Sequence, residues 1–116
     1  MATGDRELSP NARDAIADPA NDVFLSAVSA WEIAVKNALG RLPLPQSSAT
    51  LVPDLRARHR IDELPLDERA ALTVAQLPEL HRDPFDRMLI CQAIMGGLTL
   101  VTPDSLITQY PVPTLW

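Results

Sequence analysis

The chain has 116 residues, of which 47% are hydrophobic and 4% aromatic, and its formal net charge is −5. That length fits one domain with an aliphatic core, and the hydrophobic fraction excludes a disordered chain. The acidic balance excludes a general polyanion binder, the single cysteine excludes an internal disulfide framework, and no apolar run approaches the ~18 residues of a membrane span.

Residues 1–7 are polar and read as a loose segment. Ser9 and Pro10 start a helix, with serine at the cap and proline in the first turn, and that helix runs to about Ala17. Residues 23–27, Val-Phe-Leu-Ser-Ala, read as a strand. Ser29 and Glu32 match a capping box for the next helix, which stops at Gly40. Pro43 and Pro45 mark a turn. A helix over 48–59 is expected despite Pro53, and Arg56, Arg58, His59 and Arg60 form a basic cluster. Residues 61–64 suit an edge strand. Asp67 caps a helix over 68–77, with Ala70, Ala71, Val74 and Ala75 as its small apolar face.

The unit over 81–104 organises the chain. Asp83 is a good helix cap and Pro84 suits the first position. The segment 85–95 is apolar on nearly every face, so a buried helix is expected, stopped by Gly96-Gly97. Cys91 in its middle reads as a core residue. Residues 98–101 read as a strand covered on both faces, with Asp104 just beyond its end. A short helix over 105–110 and a last strand over 112–116 complete the chain. Helices alternating with short strands predict an α/β fold with a mostly parallel sheet.

Three acids stand where ligands bind in such folds, beyond strand ends or at helix starts. Each has a bland explanation. Glu32 closes the capping box and can pair with Lys36 at i+4. Asp86 answers the helix dipole, although Ile90 and Ala93 on its own face imply partial burial, which is expensive for a lone carboxylate. Asp104 can cap the helix after it. Together the three suit a hard cation such as Mg²⁺ or Mn²⁺, which activates water and steadies the leaving oxygen of a phosphodiester.

Three stretches resemble the PIN domain, in particular the VapC-type toxins of bacterial toxin–antitoxin pairs. They are VFLSAVSAWEI from Val23, HRDPFDRMLI from His81 and LTLVTPD from Leu98. The resemblance implies a single PIN-like domain over 1–116, with the three-layer form of the α/β fold, and a Mg²⁺- or Mn²⁺-dependent ribonuclease that cuts transfer or ribosomal RNA. It also implies a VapB-type antitoxin as partner, a homodimer and a cytoplasmic setting. It maps Glu32, Asp86 and Asp104 as catalytic acids and metal ligands, with Asp86 the main protein ligand and Thr102 a supporting hydroxyl. Arg82 and Arg87 beside the acids, with Arg56, Arg58 and Arg60, are the expected phosphate contacts. The family opens with an apolar central strand ending in Asp. Residues 1–7 contain no such strand, and Asp5 does not replace it, so the chain is expected to be N-terminally truncated and weakened in catalysis. The alternative is an inactive module that still binds an antitoxin or dimer partner. A phosphoacceptor receiver is disfavoured, because no acidic pair ends an early strand and no lysine follows 98–101.

Overall fold

The computed structural model describes residues 8–116. The expected loose segment 1–7, Asp5 included, lies outside them. The fold is α/β, with parallel strand pairs and helices packed around one long helix.

Helix α1 (Pro10–Ala17) begins as its cap dictates, with Ser9 Oγ accepting the Ala12 N–H. Strand β1 (Val23–Ser26) runs directly into α2 (Ala27–Ala38). The cap of α2 is Ser26, whose Oγ accepts the Val28 N–H. The capping-box expectation is therefore corrected. Ser29 lies inside the helix and is buried, and Glu32 sits on the second turn. The physical reason is tertiary. Ser26 Oγ also donates to Gln92 Oε1 across the core, so the strand end and the helix cap are one residue.

Helix α3 (Ser48–His59) keeps Pro53 inside it and ends on Arg60, which adopts a left-handed φ of 54°. Strand β2 (Ile61–Leu64) pairs parallel with β1, Val23 opposite Ile61 and Ser26 opposite Leu64. Helix α4 (Glu68–Thr73) is shorter than predicted and tightens into a 3₁₀ turn (Val74–Gln76). Its apolar face is also smaller: Ala70 is buried and Val74 half-buried, whereas Ala71 and Ala75 are exposed.

Helix α5 (Pro84–Gly96) is the centre of the molecule. Asp83 caps it by accepting the Phe85 and Asp86 N–H groups, and Gly97 ends it at φ 64°, a conformation that costs glycine little. Residues Leu89, Ile90, Cys91, Gln92 and Ala93 are all buried. The core proper joins Ile90 and Ala93 to Ile107, Tyr110 and Val112. Each aliphatic side chain of that kind contributes about 1.5–3 kcal/mol when fully buried. Burial also pushes the Cys91 thiol upward, helped by the Asp67 charge, and its Sγ donates to the Ala70 carbonyl. Cys91 is thus the core residue its neighbours implied.

After α5 the chain departs from expectation. Strand β3 (Leu100–Val101) is only two residues long and pairs parallel with β4 (Thr114–Leu115). Residues 105–110 form turns, not a helix. They are held by the Asp104 carbonyl, which accepts from Ile107 and Thr108. Ile107 and Tyr110 are both buried in the core, and the turns that place both there prevail over a helix.

The parallel pairing agrees with the sequence, but the single sheet does not form among the described residues. There are two two-stranded sheets, β1–β2 and β3–β4. Leu100 and Thr102 spend their N–H groups on the Pro113 and Leu115 carbonyls, so the alternate amide of Val101 faces away from β4. A cavity of about 610 Å³ is bordered by β1, β3, β4, the Leu98–Thr99 approach and the Leu89–Ala93 face of α5. Gln92 bridges its floor, accepting from Ser26 and donating to the Pro65 carbonyl at 3.2 Å. No helix among the described residues is long and apolar enough to cross a membrane.

Candidate metal centre

Two carboxylates and one imidazole converge where α5 begins and β3 ends. His81, Asp86 and Asp104 each offer a ligand atom, and these atoms lie within 4.8 Å of one another. Asp86 arrives there because Asp83 caps α5 three residues earlier and turns the first helical turn toward the end of β3. Its side chain is 16% exposed, that of His81 12% and that of Asp104 36%. The site is therefore partly closed, and Asp104 is its most accessible member.

Asp104 is held by the residues around it. Buried Thr102 accepts the Asp104 N–H on Oγ1, and Asp104 Oδ1 accepts the Leu106 N–H at 2.9 Å. One Asp104 oxygen is thus tied to the following turn. The other, Oδ2, lies 3.6 Å from His81 Nε2. Asp86 Oδ2 lies closer, at 2.8 Å from the same nitrogen. Burial pushes the Asp86 carboxyl above its ordinary value. The Asp83 charge adds to the rise, and the hydrogen bond from His81 opposes it. A carboxylate that is unfavourable as a bare anion is well suited to a cation.

Glu32 stands apart from this cluster. Its Oε2 is 2.7 Å from Lys36 Nζ, the i+4 pairing that its position on α2 allows. That hydrogen bond raises the Lys36 pKa against the opposing effect of burial, and the Asp83 and Asp86 charges add to the rise. The Lys36 ammonium is thus held by Glu32 and feels the acids at the start of α5 only at longer range. Trp31, on α2, meets Phe85 of α5 edge to face with ring centroids 4.9 Å apart, which fixes the two helices at this point.

The arginines divide. Arg82 is exposed and stands between His81 and Asp83 in the chain. Arg87 is spent on the backbone. Its Nη1 donates to the Pro78 and His81 carbonyls and to Tyr110 Oη, and its Nη2 to the Val74 and Leu77 carbonyls. Arg56 donates to the Leu25 carbonyl, Arg58 pairs with Asp54 at 3.1 Å, and Arg60 is exposed at the end of α3.

The structure thus brings together two of the three predicted acids, with Thr102 in support, and leaves Glu32 with Lys36. Sequence reasoning named Lys36 only as the i+4 partner of Glu32, the pair that forms, and assigned no role to His81. The signal for Lys36 was its i+4 spacing from Glu32. For His81 it was a histidine two residues before the helix cap, although only the fold of the 77–83 loop brings its ring to Asp86.

A stretch of 55 residues, 47% of this chain, is 46% identical to Ribonuclease VapC16 of Mycobacterium tuberculosis. The match spans 39% of that relative's length. No solved structure gives a significant match. The model of the PIN domain matches residues 2–112, nearly the whole chain. With that match laid over parallel strand pairs and an acid at the head of the central helix, the chain belongs to the PIN domain family.

Proposed function

We propose that this chain is a divalent-metal-dependent endoribonuclease of the VapC toxin type, acting on RNA and restrained by a VapB-type antitoxin in the cytoplasm. The observation that carries the reading is the convergence of Asp86, Asp104 and His81 at one partly closed point. Family membership and the similarity to a ribonuclease support it. The donor set fits a hard cation: two carboxylates with free oxygens, and room left for water and phosphate. Asp86 and Asp104 would hold Mg²⁺ or Mn²⁺, with Glu32 reaching it through water. When bound, the ion supplies an activated water and charge neutralisation at the scissile phosphate. Thr102 fixes the turn that presents Asp104. Lys36 and Arg82 add positive charge at the rim, where a phosphodiester would enter.

Purified chain incubated with single-stranded RNA is expected to cleave it with Mn²⁺ and not with excess chelator. An Asp86→Asn/Asp104→Asn double variant sets the background. Cleavage that survives chelation, or persists in the double variant, sinks the reading. A second reading, an inactive module that occupies an antitoxin or a second copy, is favoured by one observation. Glu32 is ion-paired with Lys36 rather than gathered with the other two acids. Antitoxin binding without metal-dependent cleavage would select it.

The arginine geometry makes a second expectation. Arg82 is exposed and adjoins His81 and Asp83 in the chain, so Arg82→Ala should lower the salt dependence of RNA binding by about one unit of slope. Arg58 and Arg60 are the further phosphate contacts to test. Arg87 is omitted because its donors are already satisfied by backbone carbonyls. An unchanged slope for Arg82→Ala, measured by fluorescence anisotropy across a salt series, counts against this placement.

A further inference from the structure

We infer that His81 is a positioning residue: its Nε2–H fixes Asp86 Oδ2 and leaves Asp86 Oδ1 to face the cation. The inference rests on the metal-site reading above and assigns the imidazole a place outside the ion's own ligand set.

Three contacts lead there. His81 Nδ1 accepts the Asp83 backbone N–H at 3.4 Å, which uses the lone pair of that nitrogen. In the neutral ring the remaining proton is then on Nε2, and Nε2 is 2.8 Å from Asp86 Oδ2. Asp104 Oδ2, at 3.6 Å, is outside hydrogen-bond reach of the same atom. The proton is therefore directed at Asp86 alone. A nitrogen that carries a proton has no free lone pair for a metal.

The backbone that carries the ring is also held. Tyr110 Oη accepts the His81 N–H at 2.9 Å and the Leu80 N–H at 3.1 Å, and it donates to the Pro78 carbonyl at 2.7 Å. Arg87 Nη1 reaches the His81 carbonyl at 3.3 Å. Tyr110 is itself in the core, so the loop is anchored to the most rigid part of the molecule. A swing of the imidazole into the ligand set would break the Asp83 contact and strain this anchorage. The ion is left with an all-oxygen set, which favours Mg²⁺ and Mn²⁺ over metals that prefer imidazole. Outer partners that orient ligating carboxylates are general in metal sites.

Mn²⁺ is the probe. Electron spin-echo modulation of the Mn²⁺-loaded parent chain is expected to show no directly coordinated nitrogen. Mn²⁺ affinity, read by calorimetry, should fall 10–100-fold in His81→Leu and stay near the parent value in His81→Gln, whose amide N–H restores the donor. A coordinated-nitrogen signal that disappears in the variants makes His81 a ligand and overturns the inference. So does His81→Leu binding Mn²⁺ as tightly as the parent. If the parent chain binds no Mn²⁺, the metal-site reading itself falls and this inference with it. Tight binding by the parent with no effect of the histidine overturns only the inference. A coordinated-nitrogen signal in the parent chain alone already contradicts the all-oxygen set, and His81→Gln serves as the assigning variant, so a poorly folded His81→Leu does not shelter the inference.

Discussion

Arg87→Ala is expected to cost about 3 kcal/mol or more of folding stability. The guanidinium serves four carbonyls and the Tyr110 hydroxyl. Hydrogen bonds to a charged donor contribute about 1.5–3 kcal/mol each when single partners are removed, and their effects overlap within one network. Several of the carbonyls that lose Arg87 are part-buried, so water replaces it poorly. Arg87→Lys should recover only part of the loss, because three donors on one nitrogen cannot span carbonyls from Val74 to His81. Urea unfolding of the three proteins measures this. A loss below about 1 kcal/mol for Arg87→Ala would mean that water satisfies the loop equally well.

Asp86→Asn is expected to act with opposite signs on function and stability. Mn²⁺-dependent cleavage should fall about 10²–10³-fold, the usual scale for losing one charge-stabilising group. The metal-free protein, however, should melt higher than the parent at neutral pH. Burial, then the charge of Asp83, raises the Asp86 pKa, and the hydrogen bond from His81 only partly offsets them. The folded-state pKa thus lies above the unfolded one, so the folded chain holds this proton more tightly. The stability this group contributes is present at pH below the ordinary carboxylate range. It declines as pH rises through the raised value, and above that the carboxylate is a net cost. Asparagine removes that cost while keeping an acceptor for His81. The gap between the two melting temperatures should therefore narrow as the solution is acidified, and saturating Mn²⁺ should reverse its sign. A metal-free Asp86→Asn that melts lower than the parent at neutral pH would show that Asp86 is stabilised as an anion.

The elements that announced themselves did so through local chemistry. The bounds of α1 and α5 follow from a serine or aspartate cap, a first-turn proline and, for α5, a terminal Gly97, all read within a few residues. The errors occurred where a distant residue decides. Ser26 and Ser29 are equally good caps in sequence, and Gln92, far along the chain, selects Ser26. A glutamine in the middle of an otherwise apolar helix was the available sign that a polar partner lay opposite. The segment 105–110 has helix-forming residues, but Ile107 and Tyr110 are drawn into the core as turns. At the site, Asp86 was legible because the acid and its apolar face share one helix. His81 was not, because nothing in the spacing of residues 81 and 86 says that Tyr110 and Arg87 fold the loop back on itself.

The clasp that Arg87 and Tyr110 place on the 77–83 segment has a kinetic consequence. This stretch lacks regular secondary structure, and such segments normally keep much of their freedom until a ligand orders them. Here the loss of backbone freedom, about 1–2 kcal/mol per residue, is met when the chain folds. On the metal-site reading proposed above, an arriving ion would find Asp86 already turned and would have no chain to organise. Its association rate is then set by how fast it sheds water, so Mn²⁺ should enter faster than the more reluctantly dehydrated Mg²⁺ even where the two bind equally well.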